Sequence, residues 1–138
     1  MNLKRFIIAF IAIFVGIEIL GYVIHSVILM STYESLKNVW RADMMQKMWI
    51  MHVVNVFMSI LFVYIFTKGY ENKGLVEGVR YGLIVGLFMS MPAAFSSYAL
   101  YPIPYTLALK WFVFGMIEFI IYGLLVAVIY KPKRDTTA

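Results

Sequence analysis

Residues 6–30 read FIIAFIAIFVGIEILGYVIHSVILM, an apolar run that only Glu18 and His25 interrupt. A helix of this length crosses a hydrocarbon core, which is about 30 Å thick. Lys4 and Arg5 precede the run, as basic residues precede a secretory signal peptide. The run is longer than the apolar part of a signal peptide, however, and no small-residue cleavage site ends it. The stretch therefore predicts a transmembrane helix that stays in the protein.

Three further apolar runs follow, at residues 49–67, 76–100 and 106–130. The connector at residues 68–74 contains glycine and asparagine, which favour turns. The connector at residues 101–104 contains two prolines, which end helices. The sequence thus predicts an all-α integral membrane protein, a four-helix bundle in a single domain over residues 1–138.

The composition excludes several classes of protein. Of the 138 residues, 63% are hydrophobic and 14% are charged, whereas soluble domains are about half apolar and about a quarter charged. A chain this short cannot bury so much apolar surface in one water-soluble core, so the expected partner is the lipid bilayer. The absence of cysteine excludes disulfides, thiolate metal sites and a cysteine nucleophile. No basic stripe alternates with exposed aromatics, so the net charge of +5 does not indicate nucleic-acid binding.

Residues 31–48 form a mixed polar and apolar stretch between the first two spans. Its large apolar residues fall at helical spacing: Tyr33, Leu36, Trp40, Met44 and Met48. This pattern predicts an amphipathic segment that lies in the membrane interface, with Trp40 as an anchor.

The distribution of lysine and arginine predicts the orientation. Eight lie on the side of the termini: Lys4, Arg5, Lys68, Lys73, Arg80, Lys131, Lys133 and Arg134. Four lie on the other side: Lys37, Arg41, Lys47 and Lys110. The positive-inside rule therefore places both termini in the cytoplasm and residues 31–48 outside.

Small residues recur at every fourth position of the third span: Gly78, Gly82, Gly86 and Ser90. Residues at this spacing line one helix face and let a neighbouring backbone approach closely. The pattern predicts a helix-packing face. The sequence leaves open whether its partner belongs to the same chain, a second copy in a homo-oligomer or a larger membrane complex.

Two carboxyls are predicted to lie midway through spans, Glu18 in the first and Glu118 in the fourth. The two spans run in opposite directions, so these carboxyls are expected at similar depth. Such residues mark functional sites, or serve as hydrogen-bond partners that lock helices together. Protonation is expected to be coupled to occupancy, because two buried like charges cannot both ionise cheaply. The residues predicted to bind a ligand are Glu18, Tyr22, Asn55, Glu118 and Tyr122.

Two histidines allow a second interpretation. His25 and His52 fall near the same membrane face on adjacent spans, which suggests a metal or haem site. Several methionines lie nearby: Met30, Met44, Met45, Met48 and Met51. Thioether and imidazole together suit Cu(I), although methionine is more often a flexible gap-filler in apolar helices. The sequence alone does not name a cofactor.

No catalytic signature is present: the sequence has no Walker loop, dinucleotide-binding glycine turn, HExxH or GxSxG. We therefore expect a protein that is not an enzyme. The leading hypothesis is that it binds or passes a small ligand or ion through a polar interior. The alternatives are an accessory or assembly subunit of a larger membrane complex, and a haem- or metal-binding membrane subunit.

Several stretches carry a resemblance to known proteins: residues 25–29, 68–74, 77–82, 101–104 and 111–118. Together they resemble a group of small four-span bacterial membrane proteins of unknown function. The likeness covers nearly the whole chain. It implies a multi-pass protein of the bacterial cytoplasmic membrane, and it implies no activity, substrate or site residue.

Overall fold

A computed structural model describes residues 1–131. Its helices are α1 (Leu3–Gly21), which continues as a π-helix over Tyr22–Ile28, then α2 (Met30–Ser35), α3 (Met48–Lys68), α4 (Leu75–Leu100) and α5 (Tyr105–Ile129). A 3₁₀ turn at Met45–Lys47 leads into α3. Four helical stretches are long and apolar enough to cross a membrane: Leu3–Ile28, Met45–Lys68, Leu75–Leu100 and Tyr105–Ile129. The prediction of an all-α, four-span fold is confirmed.

Helix α5 is central in the bundle. It packs along α4 on one side and against α1 on the other, and α1 in turn packs against α3. The two ends of the described part of the chain meet, because the side-chain amide of Asn2 donates a hydrogen bond to the carbonyl oxygen of Lys131 (3.1 Å). We call this side the termini end and the opposite side, with residues 29–47 and 101–104, the loop end.

The main apolar core lies in the half of the bundle near the termini end. It contains Ala9, Ile13, Phe62, Val63, Phe66, Tyr122, Val126, Ala127 and Tyr130. Tyr81 extends from α4 into this core and donates a hydrogen bond to the carbonyl oxygen of Phe62 (2.6 Å). Its ring also contacts Phe66 edge-on. Tyr81 thus connects α4 to α3.

The four small residues of α4, Gly78, Gly82, Gly86 and Ser90, are all buried. The structure places the glycines against α5 of the same chain. A Cβ atom added to Gly82 would contact the carbonyl oxygen of Phe119 and lie 2.7 Å from the Cα of Ile120. Ser90 lies against Gly115 of α5. Glycine permits this backbone contact because it has no side chain to separate the helices.

Residues 30–47, which cover most of the predicted amphipathic segment, are helical only in part. Helix α2 ends at Ser35, and turns follow up to the 3₁₀ turn. Tyr33, Leu36 and Trp40 pack against buried residues at the loop end, among them Leu29 and Leu107. We call residues 30–47 the lid.

Local ion pairs hold the last turns of the lid. Asp43 lies 2.6 Å from the Nε of Arg41 and 3.2 Å from the Nζ of Lys47. The Arg41 hydrogen bond lowers the pKa of Asp43 below its usual value, and the Lys47 contact adds to this. All three side chains are well exposed, so these pairs fix the turn more than they stabilise the fold.

The connector between α3 and α4 is organised by Glu77. This carboxylate is only 3% exposed and accepts hydrogen bonds from the backbone N–H groups of Glu71 (2.6 Å) and Lys73 (2.9 Å). The Glu71 side chain in turn pairs with Lys73 and Arg80, which lower its pKa. Gly74 adopts a positive φ of 64°, which favours glycine. The connector is therefore a compact, charged turn at the termini end.

Candidate functional site

Glu18 connects two helices. One of its carboxyl oxygens lies 2.8 Å from the Nδ1 of His52, and the other accepts a hydrogen bond from the side-chain amide of Asn55 (3.0 Å). Asn55 and His52 both belong to α3, so each oxygen of this α1 carboxyl has a partner on the neighbouring helix. Such an arrangement locks α1 to α3.

Glu118 has a different environment. The hydroxyl of Tyr122, one turn later in α5, donates a hydrogen bond to one of its carboxyl oxygens (3.1 Å). The other oxygen has no hydrogen-bond partner among residues 1–131, and it is not fully enclosed by the protein. No hydrogen bond joins Glu118 to Glu18. The two carboxyls that were expected to act together therefore belong to separate networks.

Two clefts border Glu118. The first is about 230 Å³ in volume and lies between α1, α3 and α5, with Asn55, Phe62 and Tyr122 in its wall. The second is about 390 Å³ and lies between α4, α5 and the π-helical end of α1. Glu118, Phe119 and His25 line both clefts. Glu118 therefore borders the open space of both clefts.

Tyr33 of the lid lies at the loop end of the second cleft. Its hydroxyl oxygen accepts a hydrogen bond from the Nε1–H of Trp111 (2.7 Å) and lies 2.6 Å from the Nδ1 of His25. The indole can only donate, so Tyr33 accepts from Trp111, while the direction of the Tyr33–His25 hydrogen bond follows the tautomer of the His25 ring. Burial raises the pKa of Tyr33, and the Trp111 hydrogen bond partly offsets this rise. Tyr33 thus keeps its proton and ties the lid to two cleft-lining residues.

The π-helical turn shapes this region. The backbone N–H of Leu29 bonds to the carbonyl oxygen of Ile24, five residues earlier. π-Turns are rare and often occur at functional sites. His25 lies within this turn and lines both clefts, so its position depends on a local departure from α-helical geometry.

The other predicted site residues are distributed unevenly. Asn55 and Tyr122 line the first cleft with Glu118, as described. Tyr22 lies on the outer surface, 66% exposed, and lines neither cleft. Sequence reasoning did not identify the link from Tyr33 to Trp111. These residues are 78 positions apart, and only their type, aromatic with a polar group, could have suggested it.

The two histidines of the predicted metal site have separate hydrogen-bond partners. His25 bonds to Tyr33, and His52 bonds to Glu18. In the part of the chain that the structure describes, no three His, Cys, Asp or Glu side chains come together as metal ligands. The methionines of the predicted copper set are at least 39% exposed: Met30, Met44, Met45, Met48 and Met51.

Comparison with known proteins adds no assignment. No protein family matches the chain, and no curated protein and no solved structure shows significant similarity to it. The resemblance to small four-span bacterial proteins stays a prediction. The function has to be argued from the site itself.

Proposed function

We propose that this four-span protein is a non-catalytic membrane protein that binds a small molecule in the two clefts, with Glu118 as the main polar contact. One observation carries the proposal. Glu118 lines both clefts, and one of its oxygens has no partner among the described residues. Binding sites for small molecules are mostly apolar, and a few polar groups in them fix the orientation of the ligand.

A purely structural role explains Glu18 better than Glu118. An ionisable side chain in a membrane is costly and needs a reason. Glu18 has one, because both of its oxygens bond to α3. Glu118 bonds only to Tyr122 of its own helix and so holds no pair of helices together. Binding of a ligand would explain why an ionisable side chain is present at position 118.

We also propose that the termini end faces the cytoplasm of a bacterial cell and that the clefts lie toward the outside. The basic residues near the termini end support this orientation through the positive-inside rule. Two of them, Lys133 and Arg134, lie outside the described residues. Ligands then reach the site from the outer half of the membrane.

The test uses protein purified gently in mild detergent and examined by native mass spectrometry. We expect the wild type to carry a small-molecule adduct that Glu118→Gln loses. Glu18→Gln is the matched control, since it makes the same change on a neighbouring helix, and it should retain the adduct. An adduct that persists in Glu118→Gln, or a wild type with no adduct, contradicts the proposal.

A further inference from the structure

We infer that the ligand of these clefts is a small organic cation with apolar substituents and one positive charge. It takes the place of the proton on Glu118. This inference rests on the proposed function and adds the chemical class of the ligand. The exchange is balanced: the cation enters, the carboxylate becomes its counter-ion, and the carboxyl proton leaves to water. The net charge inside the membrane does not change.

The charges around the clefts support a cation. Glu118 is the one carboxyl group in the described lining of either cleft, and no lysine or arginine is found there. A carboxylate without a partner is very unfavourable in hydrocarbon, so Glu118 must be neutralised by a proton or by a bound cation. An anionic ligand would meet only repulsion or an uncharged carboxyl.

The surrounding ionisable groups leave the exchange to Glu118. From the π-helical end of α1, His25 lines both clefts, and its Nδ1 is hydrogen-bonded to the hydroxyl of Tyr33. From α5 itself, Tyr122 donates to Glu118. From α3, Asn55 lines the first cleft and joins the Glu18–His52 pair behind it.

Helix α4 contributes hydroxyl groups and no ionisable side chain to the second cleft, where Ser90 and Ser97 line the wall. No lysine or arginine in the described lining of either cleft therefore competes for Glu118. The Glu118 carboxylate can therefore serve as the counter-ion of a bound cation.

The rest of the lining suits an apolar cation rather than a metal ion. Aromatic rings of Trp111, Phe114 and Phe119 line the second cleft, and Met89 adds a thioether. Aromatic faces attract organic cations, most strongly where water is excluded. Hard metal cations instead take about six or more oxygen ligands, whereas the second cleft provides one carboxyl group and the hydroxyls of Ser90 and Ser97. Their volumes of about 230 and 390 Å³ suit a small organic molecule.

The experiment compares benzyltrimethylammonium with neopentylbenzene, its neutral carbon isostere, on the full-length protein in detergent. Isothermal titration calorimetry in two buffers of different ionisation enthalpy counts the protons released. We expect one proton per bound cation. We also expect affinity to rise about tenfold per pH unit while the empty carboxyl is neutral. The isostere should release no proton, and its binding should not depend on pH.

Variants locate the exchange. Glu118→Gln should abolish proton release and weaken cation binding at least tenfold, whereas Glu18→Gln should leave the proton count unchanged. If Glu118→Gln does not fold, the proton count of the wild type still decides the question.

Cation binding without proton release overturns this inference, and so does equal affinity for the neutral isostere. If the cation does not bind but the wild type carries a neutral adduct that Glu118→Gln loses, the inference fails and the proposed function stands. If neither the cation nor any adduct binds at Glu118, both fail.

Discussion

The close contact between α4 and α5 makes Gly82→Ala the most informative single substitution for the fold. The added methyl group would meet backbone atoms of α5, the carbonyl oxygen of Phe119 and the Cα of Ile120 at 2.7 Å. Backbone atoms within a helix cannot move aside separately, so the two helices must separate. We expect overpacking of this kind to destabilise the protein by about 1–3 kcal/mol.

Two other glycines provide graded controls. At Gly86 the new methyl group would meet side-chain atoms, at 3.1 Å from the Cβ of Phe119 and 3.2 Å from the sulfur of Met116. These side chains can adjust, so Gly86→Ala should be milder. At Gly21 nothing lies within 4 Å of the new atom, and there alanine should stabilise the helix by up to about 1 kcal/mol. We expect Gly82→Ala and Gly21→Ala to differ by roughly 2–4 kcal/mol.

The measurement is reversible unfolding in mixed micelles, with SDS added stepwise and helicity followed by circular dichroism. Stability should rise in the order Gly82→Ala, Gly86→Ala, Gly21→Ala. If Gly82→Ala is as stable as Gly21→Ala, α4 and α5 do not meet backbone to backbone, and the packing described above is wrong.

Three further predictions concern the lid, the connector and the α1–α3 lock. Tyr33→Phe removes two hydrogen bonds that tie the lid to the bundle, each worth about 0.5–1.5 kcal/mol. Iodide should then quench tryptophan fluorescence more strongly. Tyr22→Phe, on the exposed surface, should leave the quenching unchanged. Glu77→Gln weakens a buried carboxylate cap and should destabilise by about 1–3 kcal/mol in thermal unfolding, whereas the exposed Glu71→Gln should have a smaller effect. Asn55→Ala removes one partner of the α1 carboxyl and should lower SDS resistance by about 1–3 kcal/mol; unchanged resistance would argue against the lock.

The number and the approximate bounds of the long helices could be predicted from the sequence. Each span is a local property of length and hydrophobicity, and the four runs correspond to four helices with ends shifted by a few residues. The small-residue stripe of α4 was also visible, because residues four apart share one face. Its partner was not, since Gly82 lies against α5 and no pattern in the stripe itself names another helix.

The site was predicted less completely. The sequence singled out both membrane carboxyls, because charged residues in apolar runs are rare. It could not show that Glu18 bonds to α3 while Glu118 borders the clefts. Nor could it show the π-turn that contains His25 or the bend that brings Tyr33 to Trp111.

The sequence by itself determined that this chain has four apolar helices and which side chains break them, because hydrophobic length is a sum over neighbouring residues. Only the tertiary structure decided which carboxyl is satisfied and which has an oxygen to spare. Hydrogen bonds depend on atoms a few ångströms apart. The rotation of each helix and the contact between α4 and α5 set those distances between residues far apart in the chain.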